Sequence, residues 1–498
     1  MQKPADIMAE TYGKLNKPHA YSTDLLLLAV IYIISRVCAY IAGIRFDVAE
    51  CIGDYWQLAD TKLLKTDLLS SIWYMYGQPP LFNLFTGLSL KAFPQHYPAA
   101  LHAVFILFGL IIIYGIYSFL RILKVRRPVV LLISVFWVLS PASILYENWY
   151  FYEYPIQAML VPAGFFLYKF ASLPAGKGFW YALAFFFTLA AVMLTRSMFH
   201  PLWFTCLLLS LLWLFPGRRK QVVLSALIPI VMLVAWPVKN YVVFGVFSSS
   251  GWFGMNLYKT AGHFLPLEDA NAMVDAGDLP PACRYLPFRR SINDYWIFMP
   301  TKPNPYPRIP ILADTMKSDG HVNFHHYGFI EISEQYNKGA FILLSQKPVY
   351  YLKSLGGAFV LWFESATSYL LLAENREKIG GYDSFFNLLS FRYSTVNNEH
   401  SFNFIAFASS GLCFWYYFSR FGRAYYKIKS RTLSPADILH GYIAFTVLFI
   451  TLTGIALEFG ENNRFRFQIQ PFMLVLTGFS ADAFYRLFQK PKQEKLGK

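Results

Sequence analysis

RFDVAECIGDYWQLADTKLLKTDLLSSIWYMYGQPPLFN, residues 45–83, lies between two apolar runs, near 23–43 and 98–120, each long enough to cross a membrane. It carries the densest acidic group beside a membrane-length segment in the chain. Asp47, Glu50 and Asp54 are spaced i, i+3 and i+7, so a helix here would turn all three carboxylates to one face. Carboxylates at the mouth of a hydrophobic bundle are costly to desolvate and usually mark proton transfer, metal ligation or substrate binding. The plainer reading of the same three residues is the solvated face of an external loop.

Outward from this loop, the composition sets the class. With 56% hydrophobic and only 15% charged residues, the chain reads as an all-α polytopic membrane protein rather than a soluble one. Further apolar stretches fall near 128–145, 155–171, 177–195, 201–215, 221–238, 402–419, 436–456 and 467–485. The formal charge of +15 does not point to nucleic acid, because the cations gather in short loops and tails beside these stretches. Arg121, Lys124, Arg126 and Arg127 set their loop in the cytosol, which puts Asp47 on the far side. The same rule applied to Arg420, Arg423, Lys427, Lys429 and Arg431 requires that 349–373 not cross once, so that run is expected to be interfacial, re-entrant or a tight helical pair. About ten complete spans and two cytosolic termini follow. The expected divisions are an N-terminal membrane module at 1–238 with its external loop at 44–97, an external loop with interfacial helices at 239–400, and C-terminal membrane helices with a cytosolic tail at 401–498. The first apolar run, preceded by some twenty polar residues, reads as a retained anchor. Of the five cysteines, Cys51 and Cys283 both fall in external segments where a disulfide would persist.

Three motifs lie on the predicted non-cytosolic side: GQPPLFN at 77–83, WPVKNYVVFGVFSSSGWFGMNLY at 236–258 and ENNRFRFQIQP at 461–471. In sequence and in order they resemble the PPL, P-W-x-x-[RK]-N…G-x-N-L and E-x-x-R-[YF]-R…P segments of bacterial membrane glycosyltransferases of the family 39 type. That family includes protein mannosyltransferases and the lipid A aminoarabinose transferase. The resemblance implies a helical bundle of the GT-C type and transfer of a sugar from a polyprenyl-phosphate donor to a lipid, glycan or protein acceptor. It also implies an acidic residue of the first external loop near the reacting centre. Relatives carry adjacent Asp-Glu there, whereas here the acids are separated, so Asp47, Glu50 and Asp54 all stay candidates; Asp47 is favoured because it follows the first span directly.

The chemistry accounts for the other residue types. An inverting transferase needs a carboxylate to take the acceptor's proton, and a departing lipid phosphate asks for cationic clamps rather than a general acid. Arg196, Lys239, Arg464 and Arg466 stand at external helix ends where such a phosphate would lie, although Lys and Arg also snorkel there. Gln78, Asn240, Tyr258, His263 and Glu461 are the remaining candidates for substrate contact, with interfacial anchoring the alternative for the aromatics. His200, His325 and His326 form no HxxxH or HExxH pattern, so no metal is assigned, and a divalent cation is the one cofactor left open. The expected location is a bacterial inner membrane with the site facing the periplasm, or else the endoplasmic reticulum membrane. A transporter or lipid flippase is the competing class. It would show internal repeats with interrupted helices in both halves, and no second copy of the acidic loop or of WPVKN occurs.

Overall fold

The computed structural model describes residues 18–48, 52, 55–387, 390–395, 398–430 and 432–488. Glu50, Cys51 and Asp54 lie outside them. Each of the apolar stretches from the first run to 467–485 is helical: Pro18–Ile41, Tyr97–Ile122, the pair Arg127–Leu139 and Pro141–Glu147, Glu153–Ser172, Phe179–Thr195, Pro201–Leu214, Arg219–Phe244, Phe404–Lys429, Pro435–Leu457 and Gln470–Phe488. Among the described residues, four helices are long and apolar enough to cross a membrane, or five if the bent pair is one span, against the ten expected. Phe179–Thr195 and Pro201–Leu214 are short. Others, such as Glu153–Ser172, bring polar side chains into the bundle.

Pro141 has no backbone N–H and pushes Ser140 to an extended conformation, so the helix breaks there by 49°. The second piece delivers Glu147 into the bundle. Beyond it the chain runs extended, and Asp47 pairs with Trp149 in a parallel bridge, its N–H donating to Asn148 O at 2.8 Å and its carbonyl accepting from Tyr150 N at 2.9 Å. Asp47 itself sits in extended backbone, held by a segment about a hundred residues away, and not on the helix that the spacing of the acidic trio suggested; Glu50 and Asp54 lie outside the described residues.

The run 349–373 is a 15-residue helix, Pro348–Trp362, followed by the 3-10 turns Ala366–Ser368 and Leu370–Leu372, so it is interrupted rather than one continuous helix. Residues 239–345 hold more order than their irregular sequence suggests. Helices Phe253–Ala261, Leu267–Asp275 and Phe329–Gln346 enclose a separate apolar core of Trp252, Met255, Tyr258, Phe329, Tyr336 and Leu343. Cys283 is buried in it as a free thiol, its pKa pushed up to about 12 by burial. A departure from the all-helical expectation is a small antiparallel hairpin, Ser390–Thr395 with Asn398–Asn403.

Candidate active site

The helix Asn462–Phe467, cut from ENNRFRFQIQP, is six residues long and wholly buried, so both of its arginines must find partners inside the protein. Arg466 donates to the carbonyls of Trp362 and Glu364, each at 2.8 Å, and thereby closes the end of helix Pro348–Trp362.

Arg464, only 1% exposed, meets carboxylates instead. One terminal nitrogen donates to Glu461, while the other lies 3.0 Å from Glu153 Oε1 at an angle too poor for a hydrogen bond. Among the described residues its Nε has no partner, and neither do Glu153 Oε2, Gln157 Oε1 and Gln468 Oε1. Glu153 is shared with Arg196, 3.1 Å away, whose guanidinium stacks 3.9 Å from the ring of Phe465. Glu461 also accepts from Tyr369 at 2.9 Å, and Tyr369 in turn bonds Tyr55. Burial pushes the Glu461 carboxyl up, but the adjacent Arg464 and the nearby Lys259 outweigh it and lower it to about 2. Burial also drives the Tyr55 and Tyr369 phenols well up, so both remain neutral. Aromatic rings of Tyr369, Phe151, Tyr55 and Tyr152 stand 5.1–5.9 Å from the Arg464 guanidinium carbon. The result is a buried, charged nest with donors and acceptors that have no partner among the described residues, a condition that buried polar groups rarely tolerate without a ligand, ion or water.

The other two motifs reach the same neighbourhood. Phe82 of GQPPLFN packs 5.6 Å from Tyr152, whose ring lies under Arg196, and Asn83 ties the loop by accepting from Ala59 N at 2.8 Å. The 236–258 motif grips residues 75–77, where GQPPLFN begins: Lys239 donates to Met75 O at 2.6 Å, Ser250 to Gly77 O at 2.7 Å, and Gly251 N to Tyr76 O at 2.9 Å. Gly245, at φ 74°, ends this helix in the left-handed conformation and turns the chain back over the loop. Lys259, at the end of the second motif, pairs with Glu458 at 2.5 Å, next to the third.

The candidates therefore divide. The structure brings Arg464, Arg196 and Glu461 together, and Asp47 lies one bridge from Trp149, whose ring is 5.4 Å from Tyr369. It places Lys239 apart from Arg464, under the 75–80 turn, with half-buried Gln78 nearby; Asn240 is committed to Ser248 O. Arg466 is taken up by carbonyls. Tyr258 is in the core of the insert, its hydroxyl toward Cys283 O at 3.5 Å. His263 is exposed, its ring 3.8 Å from Phe459. Among the described residues, no group of three or more His, Cys, Asp or Glu could hold a metal ion. Glu153, Gln157 and Gln468 are what sequence reasoning missed; the one signal was a glutamate opening an apolar helix straight after an aromatic run.

No family model matches the chain, and no curated protein sequence matches it. Among solved structures, the crystal structure of ArnT from Cupriavidus metallidurans in the apo state aligns over 94% of this chain and 78% of that chain, at 14% identity and a TM-score of 0.32.

Proposed function

We propose that the chain is an integral-membrane glycosyltransferase that moves a sugar from a polyprenyl-phosphate donor to an acceptor on the non-cytosolic side, with all ten helices crossing the membrane and both termini in the cytosol. The observation that carries this reading is the orphaned Arg464 nest: a guanidinium with a free donor, buried among carboxylates, amides and aromatic rings where three motifs of a lipid-linked sugar transferase converge.

In this reading the lipid phosphate accepts from Arg464 and Arg196, which stabilise the anion as the bond from the sugar C1 to the phosphate oxygen breaks. Asp47 takes the acceptor's hydroxyl proton as the acceptor oxygen bonds C1 from the opposite face, giving inversion. Glu461 and Glu153 hold the cations in place, and the aromatic rings exclude water from the oxocarbenium-like centre. The membrane is a bacterial inner membrane with the site in the periplasm.

Mass spectrometry of lipid that co-purifies with the protein tests the reading. A polyprenyl-phosphate sugar is expected, consumed on addition of acceptor. Movement of a substrate across liposomes with no lipid-linked sugar consumed would make the chain a transporter instead.

A further inference from the structure

Three oxygens of the nest have no hydrogen-bond partner among the described residues: Glu153 Oε2, Gln157 Oε1 and Gln468 Oε1. The residues that carry them are at most 1% exposed. In both amides the edge left over is the acceptor. Gln157 Nε2 donates to Phe467 O, and Gln468 Nε2 donates to Glu153 Oε1 at 3.4 Å, which fixes the orientation of each side chain. Gln157 stands one turn beyond Glu153 in the helix Glu153–Ser172, and Phe467 directly precedes Gln468, so these bonds hold the three side chains as neighbours. Glu461, whose side chain is one-fifth exposed and bonds Arg464, gives the nest an approach from the surface.

The sense of these groups says what satisfies them. Arg464 Nε is a donor and calls for an acceptor, which an anionic phosphate supplies; the three oxygens call for donors, which that phosphate lacks. A cation would suit the oxygens, but it would stand beside Arg464 and Arg196, whose guanidinium nitrogens already lie 3.0 and 3.1 Å from Glu153 Oε1, and be repelled by both. Neutral hydroxyls donate without that repulsion. A ligand with anionic oxygens at one end and neutral hydroxyls at the other is a glycosyl phosphate. We infer that Glu153, Gln157 and Gln468 accept from hydroxyls of the transferred sugar, and so select a neutral sugar over an amino sugar. The inference rests on the reading of the chain as a lipid-linked sugar transferase and names the class of sugar that its site takes.

Titration of the full chain with polyprenyl phosphate and with its glucosyl, mannosyl, galactosyl and glucosaminyl esters, read by native mass spectrometry, tests this. At least one neutral hexosyl lipid is expected to bind roughly tenfold tighter than bare polyprenyl phosphate, because its hydroxyls pair buried acceptors, and the glucosaminyl lipid is expected to bind more weakly than that one. Gln157→Leu and Gln468→Leu should each remove roughly fivefold of the sugar's advantage and leave the affinity for bare polyprenyl phosphate unchanged, which also shows that the variant is folded. Should a leucine variant not fold, the order of the lipids on the unaltered chain still decides. The inference falls if no neutral sugar improves on the bare lipid, or if the glucosaminyl lipid is held tightest. It also falls if the leucine variants lower the unfolding temperature but keep the sugar preference, which would leave the three oxygens to water. A chain that binds none of these lipids, bare polyprenyl phosphate included, would instead overturn the transferase reading itself.

Discussion

Two buried arginine–glutamate centres lie along this bundle, and they are built to opposite specifications. In the first, Arg36 spends all five of its donor directions: two on Glu147 at 2.9 Å, and one each on Ser35 Oγ, Val138 O and Ser143 Oγ. Glu147, fully buried, also accepts from Tyr32 and Tyr154 at 2.7 and 2.8 Å. In the second, Arg464 Nε and Glu153 Oε2 have no partner among the described residues. A saturated network rigidifies and has nothing to offer a ligand, whereas an unsaturated one keeps a desolvation cost that only a ligand relieves. The contrast separates a structural lock from a binding site without reference to any relative.

The largest effect that would break the contrast is on the lock. Arg36→Met leaves Glu147 buried with no cation, which should destabilise the protein by about 3–5 kcal/mol. Gly109→Ala attacks the same point sterically, since its Cβ would sit 2.3 Å from the Tyr32 hydroxyl and 2.6 Å from Glu147. Both should appear as loss of detergent-extractable folded protein in size-exclusion profiles. A stable, active Arg36→Met variant would mean that the saturated network is dispensable.

Next comes the chemistry beside the second centre. Asp47→Asn keeps shape and removes charge; turnover should fall by roughly 10²-fold, the usual contribution of a general base, with donor binding near normal. Turnover unchanged in single-turnover assays would pass the role to Glu50 or Asp54.

Arg464→Gln sharpens the comparison most directly. Glu153 keeps Arg196, and Glu461 keeps Tyr369 and is one-fifth exposed, so the variant should fold where Arg36→Met does not. Donor affinity, measured by titration with the polyprenyl-phosphate sugar, should weaken by about 1.5–3 kcal/mol, the range for a hydrogen bond to a charged group. Full affinity would reduce Arg464 to a structural ion pair like Arg36.

The smallest effect is on pH. Glu461, lowered to about 2, contributes stability that is complete above the ordinary carboxylate value and is lost only as pH falls toward 2, so neutral to mildly acid conditions leave Glu461 charged. His325 behaves differently. Burial, with the charges of Lys317 and Lys239, lowers it to about 3, so its contribution is complete above the unfolded value near 6.5. That contribution is lost as pH falls from there toward 3. Thermal unfolding should therefore weaken by at most about 1.4 kcal/mol per pH unit for this group between pH 6 and 4. His325→Gln should flatten that slope; an unchanged slope would trace the acid loss elsewhere.

The apolar stretches and the external motifs were legible because each announces itself locally: a run of hydrophobic residues, or charges packed against one. ENNRFRFQIQP could be read as a site from its own eleven letters. Arg36 could not, since it is one cation inside an apolar helix and its meaning depends on Glu147, 111 residues further on. Glu147 and Glu153 read as the two ends of an external loop until the bend at Ser140 and Pro141 carries one of them into the bundle. At Asp47 the helical spacing was no guide for the same reason: a face was inferred from neighbours in sequence, whereas a bridge to the segment at 148–150 determines the backbone at Asp47.

The loop between the first two membrane-length helices is fastened at two places by amines of the insert and its preceding helix, Lys317 on Tyr55 O at 2.8 Å and Lys239 on Met75 O at 2.6 Å. Both land on backbone carbonyls rather than on side chains. Substitutions at residues 55 and 75 that keep the backbone path therefore leave the fastenings intact. A saturation library over 56–74 should tolerate wide exchange at its exposed positions, such as Leu69 and Trp73, whereas separate single changes at Lys239 and Lys317 should not be tolerated.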